Sequence, residues 1–126
     1  NLMSPLRSVG EFEDPNEVKV VVDKEDNALY FSREAVPSLK KGGKNIPMMK
    51  QVCIIPFKRD FLLKFNRLKQ MPLEIIESVD MLRCLEHGYK VKMVFCDYNT
   101  YSVDTNQDLE NVKKIIKKDK LIRKYI

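Results

Sequence analysis

The chain contains no tryptophan, one histidine, four glycines and three cysteines in 126 residues. The cysteines, Cys53, Cys84 and Cys96, are odd in number and form no Cys-x-x-Cys pair, which excludes a zinc or redox motif of that spacing. They are expected to be free, buried thiols in a reducing cytoplasm. A catalytic cysteine lacks a partner. The only imidazole is His87, which stands before Gly88 where a helix should end, a place that suits capping or a dipole contact better than catalysis. The longest apolar runs are only a few residues, so none can span a bilayer, and no signal peptide is visible. The glycines form no phosphate loop either. Gly42 and Gly43 lie among the four lysines of residues 38–50 but lack the Walker spacing before Lys-Ser or Lys-Thr.

What is present reads as a soluble globular chain. Hydrophobic content of 44% and charged content of 33% are ordinary, and the length gives room for one small domain with one core. The net charge of +5 is uneven: Val112 to Ile126 carries seven Lys or Arg and one Asp, which leaves the remainder near −1. Clustered lysines are a usual footprint for nucleic acid or an anionic surface. Here they alternate with Leu109, Val112, Ile115, Ile116 and Ile122, which are expected to face a core. We read a solvated helix face, with neither a nucleic-acid nor a membrane partner.

Along the chain, Asn1 to Asn16 is polar and irregular, and a start at Asn1 rather than Met leads us to expect sequence upstream. Val18 to Val22 reads as a strand, Asp23 to Asn27 as a turn and Ala28 to Ser32 as a second strand, together a hairpin. Ser38 to Lys50 is the most loop-like segment, a lid or a plain connection. Gln51 to Ile55 reads as a third strand and Asp60 to Lys69 as a helix. Pro72 suits the first turn of a further helix running to about Glu86, with Ile75, Ile76, Val79, Leu82 and Leu85 on its apolar side. Val91 to Cys96 reads as a buried fourth strand and Gln107 to Tyr125 as a last helix. The order predicts an α/β fold with a mixed sheet.

Asp104 falls where that fourth strand gives way to the last helix. In open α/β sheets ligands collect at the carboxyl ends of strands, and a carboxylate there can hold a divalent metal against a phosphate. Spacing alone favours capping over a metal role, because Thr105 and Asp108 form a passable capping pair.

Four blocks in order narrow the choice: Asn16 to Asp23 (NEVKVVVD); Ala28 to Arg33 (ALYFSR) with Val36-Pro37; Pro72-Leu73-Glu74 with Glu77; and Val103-Asp104-Thr105 with Asp108-Leu109-Glu110. Together they resemble the C-terminal half of the 3-deoxy-manno-octulosonate cytidylyltransferase (CMP-Kdo synthetase) family, from about Asn16 onward. The resemblance implies the C-terminal, sugar-acid-binding and dimerisation portion, residues 1–126, of a Rossmann-like nucleotide-diphospho-sugar transferase fold. It implies a cytoplasmic enzyme of lipopolysaccharide or other surface-polysaccharide synthesis that couples CTP to a 3-deoxy-ulosonic acid, releases pyrophosphate and needs Mg2+. On this template Asp104 matches the magnesium-binding, catalytic aspartate. Ser32 and Arg33 match the region that meets the sugar acid, where a guanidinium suits a carboxylate; a surface ion pair is the plainer role for Arg33.

The chain also departs from the family. Where relatives carry His-x-Gly-Ile-Tyr-x-Tyr, it has Gln51 to Phe57 (QVCIIPF), and a Glu-Gln pair becomes Asp80-Met81. A loss of hydrogen-bonding groups at a sugar contact changes which hydroxyl pattern is accepted. A deoxygenated, aminated or otherwise modified ulosonic acid is therefore expected beside Kdo itself, or another nonulosonic, sialic-type acid. Gln51, Glu77 and Asp80 are the remaining candidate sugar contacts; Glu77 and Asp80, three apart, are expected to share a helix face. The Arg-, Ser- and Lys-bearing nucleotide loop of the family's N-terminal half has no match, so Asp104 would be half of a metal site. A non-catalytic assembly role is the alternative, with Phe57 to Phe65 at a dimer contact or simply in the core.

Overall fold

The run Lys19-Val20-Val21-Val22 is β-branched and extends as strand β2 (Lys19–Val22). It turns back through residues 23–27 into β3 (Ala28–Ser32), pairing antiparallel with Val20 opposite Phe31. The turn is built by Asp23, whose Oδ1 accepts the amides of Glu25 and Asn27 at 2.8 Å each, while Asp26 takes a left-handed φ of 58°. The hairpin is as the sequence predicts.

The computed structural model describes residues 1–124, of Arg123 the backbone only. Its sheet has five strands in the order β3-β2-β4-β1-β5, where β4 is Met49–Val52, β1 is Leu2–Pro5 and β5 is Val94–Phe95. All pairs are antiparallel except β1 with β5, so the sheet is mixed, as expected. Helices α1 (Val9–Glu13), α2 (Arg59–Phe65), α3 (Pro72–Glu77), α4 (Met81–Glu86) and α5 (Asn106–Ile116) complete the chain, with a 3-10 turn at Ile122–Lys124. One core, centred on Val20, Phe31, Leu82, Cys84 and Met93, fills the space between sheet and helices. No described helix is long and apolar enough to cross a membrane.

Several expectations are corrected. The polar N-terminal stretch is not irregular. It supplies β1, an interior strand, and α1, whose Phe12 is fully buried. Ser8 caps α1 by accepting the Glu11 amide at 3.1 Å, while Glu11 takes the Arg7 amide at 2.7 Å; the Ser-x-x-Glu spacing was the available clue. The third strand begins two residues early and stops at Val52, leaving Cys53 and Ile54 exposed. Of the three cysteines only Cys84 is buried, and burial pushes its thiol pKa up. The fourth strand is shorter and one-faced: Val91 and Met93 are buried, Val94 and Phe95 exposed.

The long helix from Pro72 breaks. Ser78, at φ 52° and ψ 51°, caps α3 in the left-handed conformation, and α4 starts afresh at Met81. This turns Ile75 and Ile76 out to solvent while Val79 and Leu82 enter the core. A non-glycine residue in that conformation is strained, so Ser78→Gly should raise stability by up to about 1 kcal/mol in denaturant unfolding. The last helix also ends early, at Ile116, and the Tyr125 end expected for it lies outside the described residues. Its apolar residues do not face a core: Leu109, Ile115 and Ile116 are about 40% exposed and no α5 residue is buried. Phe57, by contrast, stacks on Phe61 and meets Phe65 at a tilt, with Phe65 in the core and the other two packed against it.

Candidate active site

Strand β3 is an edge strand, and its last residues would leave unpaired backbone groups. Glu77, at the end of α3, closes that edge. Its Oε1 accepts the Tyr30 hydroxyl at 3.1 Å and the Ser32 hydroxyl at 3.2 Å, and its Oε2 accepts the Arg33 amide at 2.8 Å. Burial, with the Glu77 contact second, raises the Tyr30 phenol above its usual pKa. Arg33 reaches back with Nε to the Glu77 carbonyl at 2.7 Å, Nη2 to the Ser78 carbonyl at 3.1 Å and Nη1 to the Pro15 carbonyl at 2.9 Å. Among the described residues it is therefore in no ion pair; three of its five N–H groups hold main chain, and one hydrogen on each terminal nitrogen lies outside these bonds. The left-handed turn at Ser78 is what delivers both the Glu77 side chain and the two carbonyls to Arg33.

Ser32, Arg33 and Glu77 are thus brought together as one cluster. Asp80 is not part of it. The break at Ser78 puts Glu77 and Asp80 on separate helices, so they share no helix face, and Asp80 is exposed at the start of α4. Gln51 pairs with Met3 in the β4–β1 ladder and so projects to the sheet face of Met3, opposite to that of Ser32. Of the four lysines read as loop residues, Lys50 is in β4 and buried.

Asp104 is exposed in the connection between β5 and α5, next to the helix N-cap. The capping pair forms in full: Thr105 Oγ1 accepts the Asp108 amide at 3.2 Å and Asp108 Oδ2 accepts the Thr105 amide at 2.8 Å. The Thr105 contacts hold the Asp108 carboxyl below its ordinary pKa. Capping therefore belongs to Thr105 and Asp108. Asp104 contributes only its amide, to Asp108 Oδ2 at 3.3 Å, and among the described residues its carboxylate carries no hydrogen bond. A cavity of about 420 Å3 lies beside this connection, lined by Arg7, Glu17, Lys50, Thr100 and Asp108. Among the described residues no three His, Cys, Asp or Glu side chains converge as a metal cage. A single carboxylate nonetheless suits Mg2+, which keeps several waters and takes one or two carboxylates beside substrate phosphates.

Two residues escaped the sequence reading as a pair. Glu74, 3% exposed, receives Arg83 Nε at 2.7 Å and also Nη2, and Arg83 lies over the Phe65 ring at 4.5 Å from its centre. Their nine-residue separation crosses the break at Ser78, so no helical spacing announces the contact.

The mixed sheet and the helices that cover it make this an α/β chain of the nucleotide-diphospho-sugar transferase fold. The cytidylyltransferase family profile matches residues 1–93, and the chain belongs to that family. It is 43% identical over 120 residues to the 3-deoxy-manno-octulosonate cytidylyltransferase of Fusobacterium nucleatum, covering 95% of this chain and 49% of that protein. It is 41% identical over 107 residues to the protein of that name from Solibacter usitatus, covering 85% and 42%. Among solved structures it resembles a CMP:2-keto-3-deoxy-manno-octonic acid synthetase complexed with CTP, with a TM-score of 0.82, 30% identity, and coverage of 92% of this chain and 47% of that one. The chain thus spans about half the length of these relatives.

Proposed function

We propose that the chain is the sugar-acid-binding, C-terminal portion of a cytoplasmic, homodimeric cytidylyltransferase that couples CTP to a 3-deoxy-ulosonic acid and releases pyrophosphate. The carrying observation is the family match over residues 1–93, which contains the whole Ser32–Arg33–Glu77 cluster. In this reading Glu77 fixes the end of β3, and the free hydrogens of Arg33 take the substrate carboxylate through charge-assisted bonds. Ser32 lends its hydroxyl at the same end. Gln51 and Asp80 lie outside the cluster and would meet the substrate only from the other side of the sheet or from α4. Asp104 would hold Mg2+, which when bound offsets the charge of the phosphates. With a single carboxylate here, the other ligand and the nucleotide site belong to residues beyond these. The remaining work of the chain is positional, to keep the attacking hydroxyl aligned.

Three of the departures from the family, Ile55, Phe57 and Met81, line one cavity of about 400 Å3 with Phe61, Cys84 and Val91, and Lys58, Lys90 and Lys92 stand at its wall as well. An apolar wall where relatives carry polar groups favours a modified ulosonic acid with fewer free hydroxyls over Kdo itself. The full-length protein, given CTP, Mg2+ and a panel of ulosonic acids, should release pyrophosphate with at least one and prefer a modified one. No release with any acid overturns the assignment; a clear preference for Kdo overturns only the choice of sugar.

A further inference from the structure

Among the described residues, four of the five buried polar side chains form one row across the sheet. Ser4 of β1 is opposite Lys50 of β4, Lys50 is opposite Lys19 of β2, and Lys19 is opposite Ser32 of β3. Their exposures are 0%, 7%, 0% and 3%. Directly opposed residues of antiparallel strands project to the same face, so a polar stripe three strand spacings long, about 14 Å, crosses the sheet. Burying two ammonium groups in one such row is costly unless their hydrogens are engaged.

The engagements are specific. Lys19 Nζ donates to the carbonyl of Asp14 at 2.7 Å and to that of Arg33. Burial lowers its pKa, and the nearby carboxylates of Asp14, Glu34 and Glu17 work against that shift. Lys50 Nζ donates to Glu17 Oε1 at 2.9 Å and to the Thr100 carbonyl at 3.0 Å. Ser4 Oγ lies 3.4 Å from Thr100 Oγ1. Residues 14–17 close a turn through the Glu17 amide and Asp14 carbonyl at 3.2 Å, and Pro15 within it receives Arg33 Nη1. One short segment is therefore fastened on one side to the strand end that carries Ser32 and Arg33. On the other side it is fastened, through Lys50, to Thr100, four residues before Asp104.

We propose that Lys19 and Lys50 are positioning residues that hold the Ser32–Arg33 strand end and the Thr100–Asp104 connection in fixed relation through residues 14–17. Their ammonium groups are bonded to main chain and to Glu17. What the two ends contact rests on the cytidylyltransferase reading; the link between them does not. A lysine in each place supplies the reach of a four-carbon stem with a charged donor at its tip, and methionine preserves much of the stem while removing the donor.

The test is made in the natural full-length protein with Lys50→Met and Lys19→Met, each checked for a cooperative thermal transition. In Lys50→Met, amide hydrogen exchange across residues 97–105 should quicken about tenfold, the low end of what losing a hydrogen bond to a charged group is worth. Exchange at residues 31–34 should hold steady. Lys19→Met should show the reverse pattern. In turnover, Lys50→Met should raise the Mg2+ requirement and leave the KM for the ulosonic acid nearly unmoved, while Lys19→Met raises that KM and spares the Mg2+ requirement. Should a methionine variant fail to fold, Glu17→Gln at its half-buried position should give the Lys50→Met pattern in milder form. Unchanged exchange at 97–105 in folded Lys50→Met, unchanged exchange at 31–34 in folded Lys19→Met, or equal rises in both kinetic constants, overturns the proposal. If the wild type turns over no ulosonic acid, the functional reading fails, and the exchange pattern still decides the link.

Discussion

In the full-length protein, Asp104→Asn should lower turnover by at least about 100-fold, because a metal's share of transition-state charge stabilisation is several kcal/mol. The same change should leave stability within about 0.5 kcal/mol of wild type, as for other exposed substitutions that break no contact. The separation of the two effects rests on local geometry. The helix cap is made by the reciprocal bonds of Thr105 and Asp108, to which Asp104 adds only its amide, donated to Asp108 Oδ2. Thr105→Ala is therefore the matched control. It removes the side-chain half of the capping box and should cost about 1 kcal/mol of stability while changing turnover little. Turnover with varied Mg2+ and urea unfolding of both variants read the two axes. An Asp104→Asn enzyme that loses stability like Thr105→Ala, and activity only in step with it, would reduce Asp104 to a neighbour of the cap.

Arg83→Met should destabilise the fold by about 3–5 kcal/mol at neutral pH, the usual cost of stranding one partner of a buried ion pair. Glu74 is almost wholly buried, and Arg83 is both its charge partner and the cation over the Phe65 ring. The Arg83 hydrogen bonds hold the Glu74 carboxyl below its ordinary value of 4.5, against the opposing effect of burial. A lowered carboxyl pKa stabilises the fold above the unfolded value, and that contribution is lost as pH falls through the folded one. In the variant the sign inverts: burial without a partner raises the Glu74 pKa, so the variant gains relative stability as acid protonates the stranded carboxylate. The gap between wild type and Arg83→Met should thus be widest near pH 7 and narrow on acidification below the mid-carboxylate range. A gap that stays constant with pH would mean that the loss comes from packing against Phe65 alone.

The linear order of residues was enough for the hairpin, the α2 helix, the class of sheet and the family. Each depends on short-range chemistry: three valines in a row, the Asp23 turn, the Phe61–Phe65 spacing and the ALYFSR block. The same reading named Ser32, Arg33 and Glu77 as sugar-acid contacts but gave Arg33 either a carboxylate or a surface ion pair and paired Glu77 with Asp80, whereas the Arg33 guanidinium is largely spent on main-chain carbonyls and Glu77 closes on Arg33. It missed β1 and α1 because a polar stretch with two prolines looks irregular until neighbours pair with it. β1 is extended because β4 and β5 bond to it from both sides.

Long-range packing settled the rest. The break at Ser78 is a left-handed residue that no propensity favours, and it exists because it lets Glu77 close the β3 edge and Arg83 reach Glu74. That one turn separates Glu77 from Asp80, buries an ion pair nine residues apart and turns two isoleucines to solvent. The two buried lysines followed the same rule. Lys19 and Lys50 sit 31 positions apart and look in sequence like a charged strand residue and a loop lysine, yet they are cross-strand neighbours on one face. Hydrophobic period and turn chemistry are local and can be read along a chain. Which polar groups are desolvated together depends on strand register, and register exists only once the sheet has formed.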